Sequence, residues 1–225
     1  MFDYPLVGFI DMIPENIFNS LNKTKFTMLS DGQAIAINQG LFNNQNLLVV
    51  LPTGSGKSLI GNLAMLESRN KNKQSIYLSP LRSLTNEQFI KFRDQYKKDF
   101  GGCILTTGEY KKADWLINKA PFIFTTAEKL DVLIRKNYHF LQNVGCVVID
   151  ELHTLNQESR GATLEIVITM LKYINPEIQI IGLSATIGNM KEVASWLNAK
   201  IVYSDKRIVK LMKGIYCNKE IKFYE

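Results

Sequence analysis

The strongest constraint on this chain is the rhythm of its apolar residues. Strand-length apolar runs alternate with longer helical stretches along almost the whole sequence. The runs are "NLLVVL" (46–51), "SIYLS" (75–79), "CILTT" (103–107), "FIFTT" (122–126), "CVVID" (146–150) and "IQIIGLS" (178–184). Each is continuously apolar rather than alternating, as strands buried on both faces are. Between them lie helical stretches at 57–68, 84–96, a short one near Trp115, "AEKLDVLIRK" (127–136), "GATLEIVITMLKYI" (161–174) and "NMKEVASWL" (189–197). Before the first strand, "PENIFNSLN" (14–22) and residues 33–41 read as helices, and after the last helix come "KIVYS" and an extended "IVKLMKGIY". This order predicts an α/β fold, an open, mostly parallel sheet with helices on both faces. Such sheets bind ligands beyond the carboxyl ends of their strands, so the residues directly after each strand are the ones to search.

Composition narrows the class. At 225 residues and 46% hydrophobic content, the chain suits one large domain and is small for two. No apolar run approaches a membrane span, and the acidic N-terminal stretch does not read as a secretory signal. Cys103, Cys146 and Cys217 are odd in number and far apart, which suits reduced packing cysteines in an intracellular protein (cytoplasm, or nucleus in a eukaryote) better than disulfides or zinc. A net charge of +6 and a pI near 9.1 favour polyanions only weakly, because the lysine pairs 71/73, 97/98 and 111/112 are scattered and read as solvated faces.

The chemistry begins at "LPTGSGKS" (51–58), directly after a strand and directly before a helix. That context matches the phosphate-loop pattern G-x-x-x-x-G-K-[ST] except at its first position, which is Leu51. Pro52, Thr53, Gly54, Ser55 and Gly56 would form the cradle, with the two glycines turning successive N–H groups inward toward a triphosphate. Lys57 can reach the β and γ phosphates, and Ser58 can offer its hydroxyl to Mg²⁺. Leu51 ends the strand and can point into the core, so the phosphate contacts survive without the first glycine. A second strand ends in "VVIDELH", whose adjacent carboxylates are costly to bury without a cation. Asp150 would hold Mg²⁺ and Glu151 would orient and deprotonate the attacking water.

"PTGSGKS", "DELH" (150–153) and "SAT" (184–186) together resemble three motifs of the superfamily-two DExH-box helicases, in which the first loop glycine is commonly replaced. "SPLRSLTNEQ" (79–88), "TTGEY" (106–110) and "TTAEKLD" (125–131) are similar to that family's nucleic-acid-binding motifs. "RGATLE" (160–165) resembles a signature of the subgroup holding archaeal and animal DNA-repair helicases and the exosome and spliceosome helicases. The resemblance implies a RecA-like P-loop NTPase using ATP and Mg²⁺. It implies that Gln33 reads adenine, although Gly32 stands where the family usually has proline. Phe26 would stack on the base or belong to the core. Pro80, Leu81, Arg82, Gly108, Thr125 and Thr126 would grip the sugar-phosphate backbone of single-stranded nucleic acid, with Glu128 bracing a loop or helix start. His153, Ser184 and Thr186 would couple the γ-phosphate to that grip.

The resemblance also implies a division of the chain. Residues 1–44 form an N-terminal helical segment of the motor domain, 45–205 the ATP-binding domain, and 206–225 a terminal strand or linker toward a second motor domain in the same full-length chain. That second domain would supply the arginine finger, since Arg82, Arg135 and Arg160 fall on or behind the nucleic-acid side. The isolated chain is therefore expected to be a monomer without membrane contact that binds Mg-ATP and hydrolyses almost none. DNA is favoured over RNA by the subgroup signature alone. The competing readings are an RNA helicase of the same subgroup, a nucleotide-gated binding module without turnover, and a P-loop ATPase unrelated to nucleic acids. The last leaves the "SPLRSLT", "TTGEY" and "TTAEKLD" loops unexplained.

Overall fold

The computed structural model describes residues 2–108, 116–157, 160–206, 213–217 and 220–224. Glu109, Tyr110 and the stretch around Trp115, read above as motif and short helix, lie outside the described residues. Seven parallel strands make the main sheet: β3 (Leu47–Val50), β4 (Gln74–Leu78), β5 (Cys103–Thr106), β6 (Phe122–Thr125), β7 (Val144–Ile149), β8 (Gln179–Ser184) and β9 (Lys200–Tyr203). Their spatial order is β5-β6-β4-β7-β8-β3-β9. All six predicted apolar runs are strands; five are buried along nearly their whole length, and β5, at the edge of the sheet, is half-buried.

The alternation of side chains along these strands builds two cores. Leu47, Val49, Tyr77, Phe122, Phe124, Cys146, Val148, Ile181 and Leu183 face one side. There they pack under α1 (Glu15–Lys23), α2 (Asp31–Asn38), α3 (Lys57–Asn70) and α4 (Arg82–Phe100). Leu48, Val50, Ile76, Ile123, Val147, Ile149 and Ile180 face the other side. They are covered by α5 (Ala127–Lys136), α6 (Gly161–Ile174) and α7 (Met190–Leu197). The helices present apolar residues at helical spacing, such as Leu164, Val167, Ile168 and Leu171 of α6.

Three features depart from the sequence reading. The N-terminus contains a short strand, β1 (Phe2–Pro5), paired antiparallel with β2 (Met28–Ser30). Helix α2 starts at Asp31 rather than Gln33, because Ser30 and Gln33 form a reciprocal capping box. Beyond β9, Lys213–Cys217 and Glu220–Tyr224 pair with each other as an antiparallel hairpin, β10 and β11, in a sheet of their own.

One close approach fixes the end of the carboxylate loop. Gly161 opens α6, and a Cβ there would lie 2.1 Å from the Leu155 carbonyl oxygen. Backbone meets backbone, so no side chain can rotate away. Gly161→Ala is expected to lower unfolding free energy by about 1–3 kcal/mol through overpacking, read from the urea midpoint at unchanged slope.

Candidate active site and nucleic-acid interface

The phosphate loop hangs between β3 and α3. Gly54 and Gly56 have φ of +80° and +81°, which keeps the loop open to a ligand without a Cβ penalty. Gly56 is also the N-cap of α3 and offers no side chain to cap it, so the first-turn N–H groups face the loop. Thr53 and Gly54 are exposed, Pro52, Gly56, Lys57 and Ser58 half-buried, and Ser55 is buried with its hydroxyl on the Pro52 carbonyl at 2.6 Å. The Lys57 ammonium donates back to the Leu51 and Pro52 carbonyls, at 2.9 and 3.3 Å. Burial lowers the Lys57 pKa, while the Glu151 and Asp150 charges oppose that shift.

Leu51 is buried, and its N–H extends the ladder to the Ser184 carbonyl at 3.1 Å. Its methyl groups fill the place of a side chain on Gly32, where a Cβ would be 2.4 Å from Leu51 Cδ1. The two departures from the family pattern thus occupy the same space. Gln33 is buried against the loop: its Oε1 accepts from Ser30 N at 2.9 Å, and its Nε2 donates to the Gly56 carbonyl at 3.2 Å. Its amide braces the loop, and reading adenine would require it to exchange one of these bonds. Phe26 packs half-buried against the core.

Strand β7 delivers the carboxylates to the same edge, one strand removed from β3. Asp150 is held at both oxygens: Tyr77 Oη donates to Oδ2 at 2.8 Å and Glu151 N to Oδ1 at 3.0 Å. Burial pushes the Asp150 carboxyl above the usual carboxylate range. The Tyr77 hydrogen bond opposes that rise, and the Glu151 charge adds to it. Glu151 has a left-handed backbone, φ +51°, which turns its side chain away from the strand direction. His153 Nδ1 lies 3.3 Å from Glu151 Oε2 but outside hydrogen-bond geometry. Between the two strands, β8 ends at Ser184, whose buried hydroxyl donates to the Thr186 carbonyl at 2.8 Å; Thr186 itself is exposed.

The strand ends beyond β4 and β6 open into a groove of about 990 Å³ lined by Pro80, Leu81, Arg82, Gly108, Thr126, Glu128, Lys129, Val132, Lys136 and Arg160. Arg82 lies over Gly108, where a Cβ would be 3.0 Å from its guanidinium carbon. Thr126 caps α5 by accepting from Lys129 N at 3.4 Å. Thr125 departs from the predicted grip: its side chain is fully buried and its hydroxyl donates to the Thr106 carbonyl at 2.8 Å, so it ties the ends of β5 and β6 together instead of facing the groove. Arg160 joins the groove, whereas Arg135 is exposed on α5 and paired with Asp131 at 2.9 Å. Pro80, Glu128 and Arg160 also line a small cavity reaching Asp150, so these three residues border both the groove and the surroundings of that carboxylate.

Two participants escaped the sequence reading. Tyr77 sits inside an apolar strand run, and nothing local marks it as the neighbour of an acid so far along the chain. Burial and the Asp150 charge push its phenol well above the ordinary tyrosine value, and Ser58 beside it works in the opposite direction. Asp31 accepts from Tyr4 Oη and Lys206 Nζ, both at 3.1 Å, and joins the N-terminal strand and the segment after β9 to the start of α2. Its pKa is lowered, chiefly by the Ser204 side chain.

This architecture is a RecA-like helicase fold, and known proteins share it. The DEAD/DEAH box helicase family matches residues 30–193. The ATP-dependent DNA helicase Hel308 of Methanocaldococcus jannaschii is 42% identical over 216 residues, covering 93% of this chain and 18% of that protein. Hel308 of Methanococcus vannielii is 40% identical over 215 residues, covering 92% of this chain and 28% of that protein. A crystal structure of the DUF1998 helicase MrfA bound to DNA superposes with a TM-score of 0.73 at 26% identity, covering 85% of this chain and 30% of that one. The chain therefore spans less than a third of the length of each of these relatives. The family match takes in the phosphate loop, the carboxylate pair and the loops of the groove, and the chain belongs to the DEAD/DEAH box helicases.

Proposed function

We propose that this chain is the ATP-binding half of an ATP-dependent helicase or translocase that acts on DNA, in repair or replication-fork processing. The observation that carries the reading is the meeting of three features at one sheet edge: a phosphate loop, a half-buried carboxylate pair at a strand end and an open groove rich in cations. The DNA assignment draws on the similarity to proteins named as DNA helicases and to a helicase solved with DNA. Residues 45–205 would be the motor domain, 1–44 its N-terminal part, and 206–225 the connection to a second motor domain.

The residues fit a magnesium–triphosphate complex. Ser58 and Asp150 both adjoin the Tyr77 hydroxyl, so a hydroxyl and a carboxylate oxygen converge on one point, a donor set that suits Mg²⁺ shared with phosphates. Magnesium, when bound, neutralises charge on the phosphate oxygens. Lys57 would leave the Leu51 and Pro52 carbonyls to pair with the β and γ phosphates. Glu151 would take a proton from the attacking water, with His153 beside it and Ser184 and Thr186 relaying the state of the loop. Arg82, Arg160 and the loop backbone at Gly108 would hold phosphates of a single strand without reading bases.

The test has three arms. Lys57→Ala is expected to weaken binding of a fluorescent Mg-ATP analogue by about 10- to 100-fold, the value of a lost charge-assisted contact of roughly 1.5–3 kcal/mol; unchanged affinity removes the nucleotide site. In the full-length protein, Glu151→Gln is expected to bind ATP normally and release phosphate about 10²- to 10⁴-fold more slowly. Normal turnover would assign the base elsewhere. Arg82→Ala is expected to weaken single-stranded DNA equally across sequences and to flatten the salt dependence by about one phosphate contact. A change confined to one base sequence in an anisotropy titration would contradict a backbone grip.

A further inference from the structure

We propose that Tyr77 is the positioning residue of the Asp150 carboxylate, fixing the orientation in which Asp150 meets the magnesium of the bound nucleotide. The proposal rests on the nucleotide reading above and assigns a role to a residue outside every motif recognised in the sequence.

The first argument is burial. Tyr77 is fully buried in the middle of the sheet, among apolar neighbours that a phenylalanine ring would satisfy equally well. A buried hydroxyl is costly unless it is bonded. Its bond goes to Asp150 Oδ2 at 2.8 Å, across the β4–β7 pair in which Tyr77 is registered with Val148.

The second argument is geometry. With Glu151 N on Oδ1 at 3.0 Å, each oxygen of the carboxylate has one donor. Two donors on two oxygens fix the plane of the group as well as its place. A carboxylate has about four lone-pair sites, so about two remain for a cation and its waters. This is the arrangement in which a partner behind a ligand sets how the ligand meets its metal.

The third argument is stiffness. The Tyr77 ring stacks on Phe124 of β6, with centroids 5.4 Å apart and planes 22° from parallel. Phe89 and Phe92 of α4 meet Phe124 at 5.9 and 5.3 Å. The phenol therefore cannot swing, and its hydroxyl is a fixed point from which Asp150 is held. Ser58, the other oxygen donor assigned to magnesium, adjoins the same hydroxyl.

The experiment compares Tyr77→Phe, which removes one oxygen and keeps the ring, with Tyr77→Leu, Asp150→Asn and Lys57→Ala in the purified protein. Binding of a fluorescent ATP analogue is titrated in EDTA and then against Mg²⁺, and Mn²⁺ bound with ATP is measured by electron paramagnetic resonance. Tyr77→Phe is expected to leave affinity in EDTA within about twofold and to raise half-saturating Mg²⁺ and Mn²⁺ by about tenfold, the lower end of what such partners contribute. Asp150→Asn should shift the same metal constants further. Normal metal constants in Tyr77→Phe, with Tyr77→Leu defective, would leave only a packing role and overturn the proposal. Equal loss of affinity in EDTA and in metal would overturn it too, since that marks general distortion of the site. If Lys57→Ala binds the nucleotide as well as the unmodified protein, the nucleotide reading falls and this proposal falls with it.

Discussion

A carboxylate at the end of a buried strand is the constraint on which this structure turns. Asp150 cannot stay charged inside the sheet without donors, and the protein supplies two, from Tyr77 and from the backbone of Glu151. Satisfying it requires β4 beside β7 and the left-handed turn at Glu151. The remaining charge is met only in part, because burial still pushes the carboxyl above its ordinary range. An environment that supports the anion incompletely is one that gains from a cation, and the phosphate loop lies beside it with Lys57 and Ser58.

The groove and the nucleotide site are arranged by the same strands. Strand β4 carries Tyr77 and leads into Pro80, Leu81 and Arg82, while β6 carries Phe124 and leads into Thr125 and Thr126. One route from these loops to Asp150 runs through packed aromatic rings, Phe124 stacked on Tyr77. Arg160 and Glu128 lie on the other route, between the groove and the small cavity at Asp150. The aromatic route is built of buried side chains that have little room to move, whereas Glu128 and Arg160 are exposed.

What could be read from the sequence was what depends on near neighbours. Continuous apolar runs announced parallel strands, and the spacing of Gly54, Gly56, Lys57 and Ser58 announced the loop, because both signals lie within a few residues. What could not be read depends on which strands meet. Tyr77 looks like any strand aromatic until β4 is set beside β7. Thr125 resembles a groove hydroxyl until the Thr106 carbonyl is seen to hold it. The glycine at 32 and the leucine at 51 look like separate departures from a pattern, yet they share one volume. The strand at the N-terminus was too short to carry a periodic signal, and it is fixed by pairing with β2.

The position of β3 has a consequence for how the protein comes into being. Its sheet neighbours are β8 and β9: Leu47 is registered with Ile181 on one side and Lys200 on the other. On a ribosome, the strand that carries the phosphate loop emerges before the other strands of the main sheet and must wait for β8 and β9, the last two of them, before it has any partner. Non-local pairing of this kind makes folding slow. During the wait, an apolar segment, "LLVV", is bare at both edges, which is the situation in which strands find wrong partners. Nucleotide cannot assist the early chain, since its loop has no anchored strand to hang from. The phosphate loop is thus synthesised ahead of the two strands that let it acquire its shape.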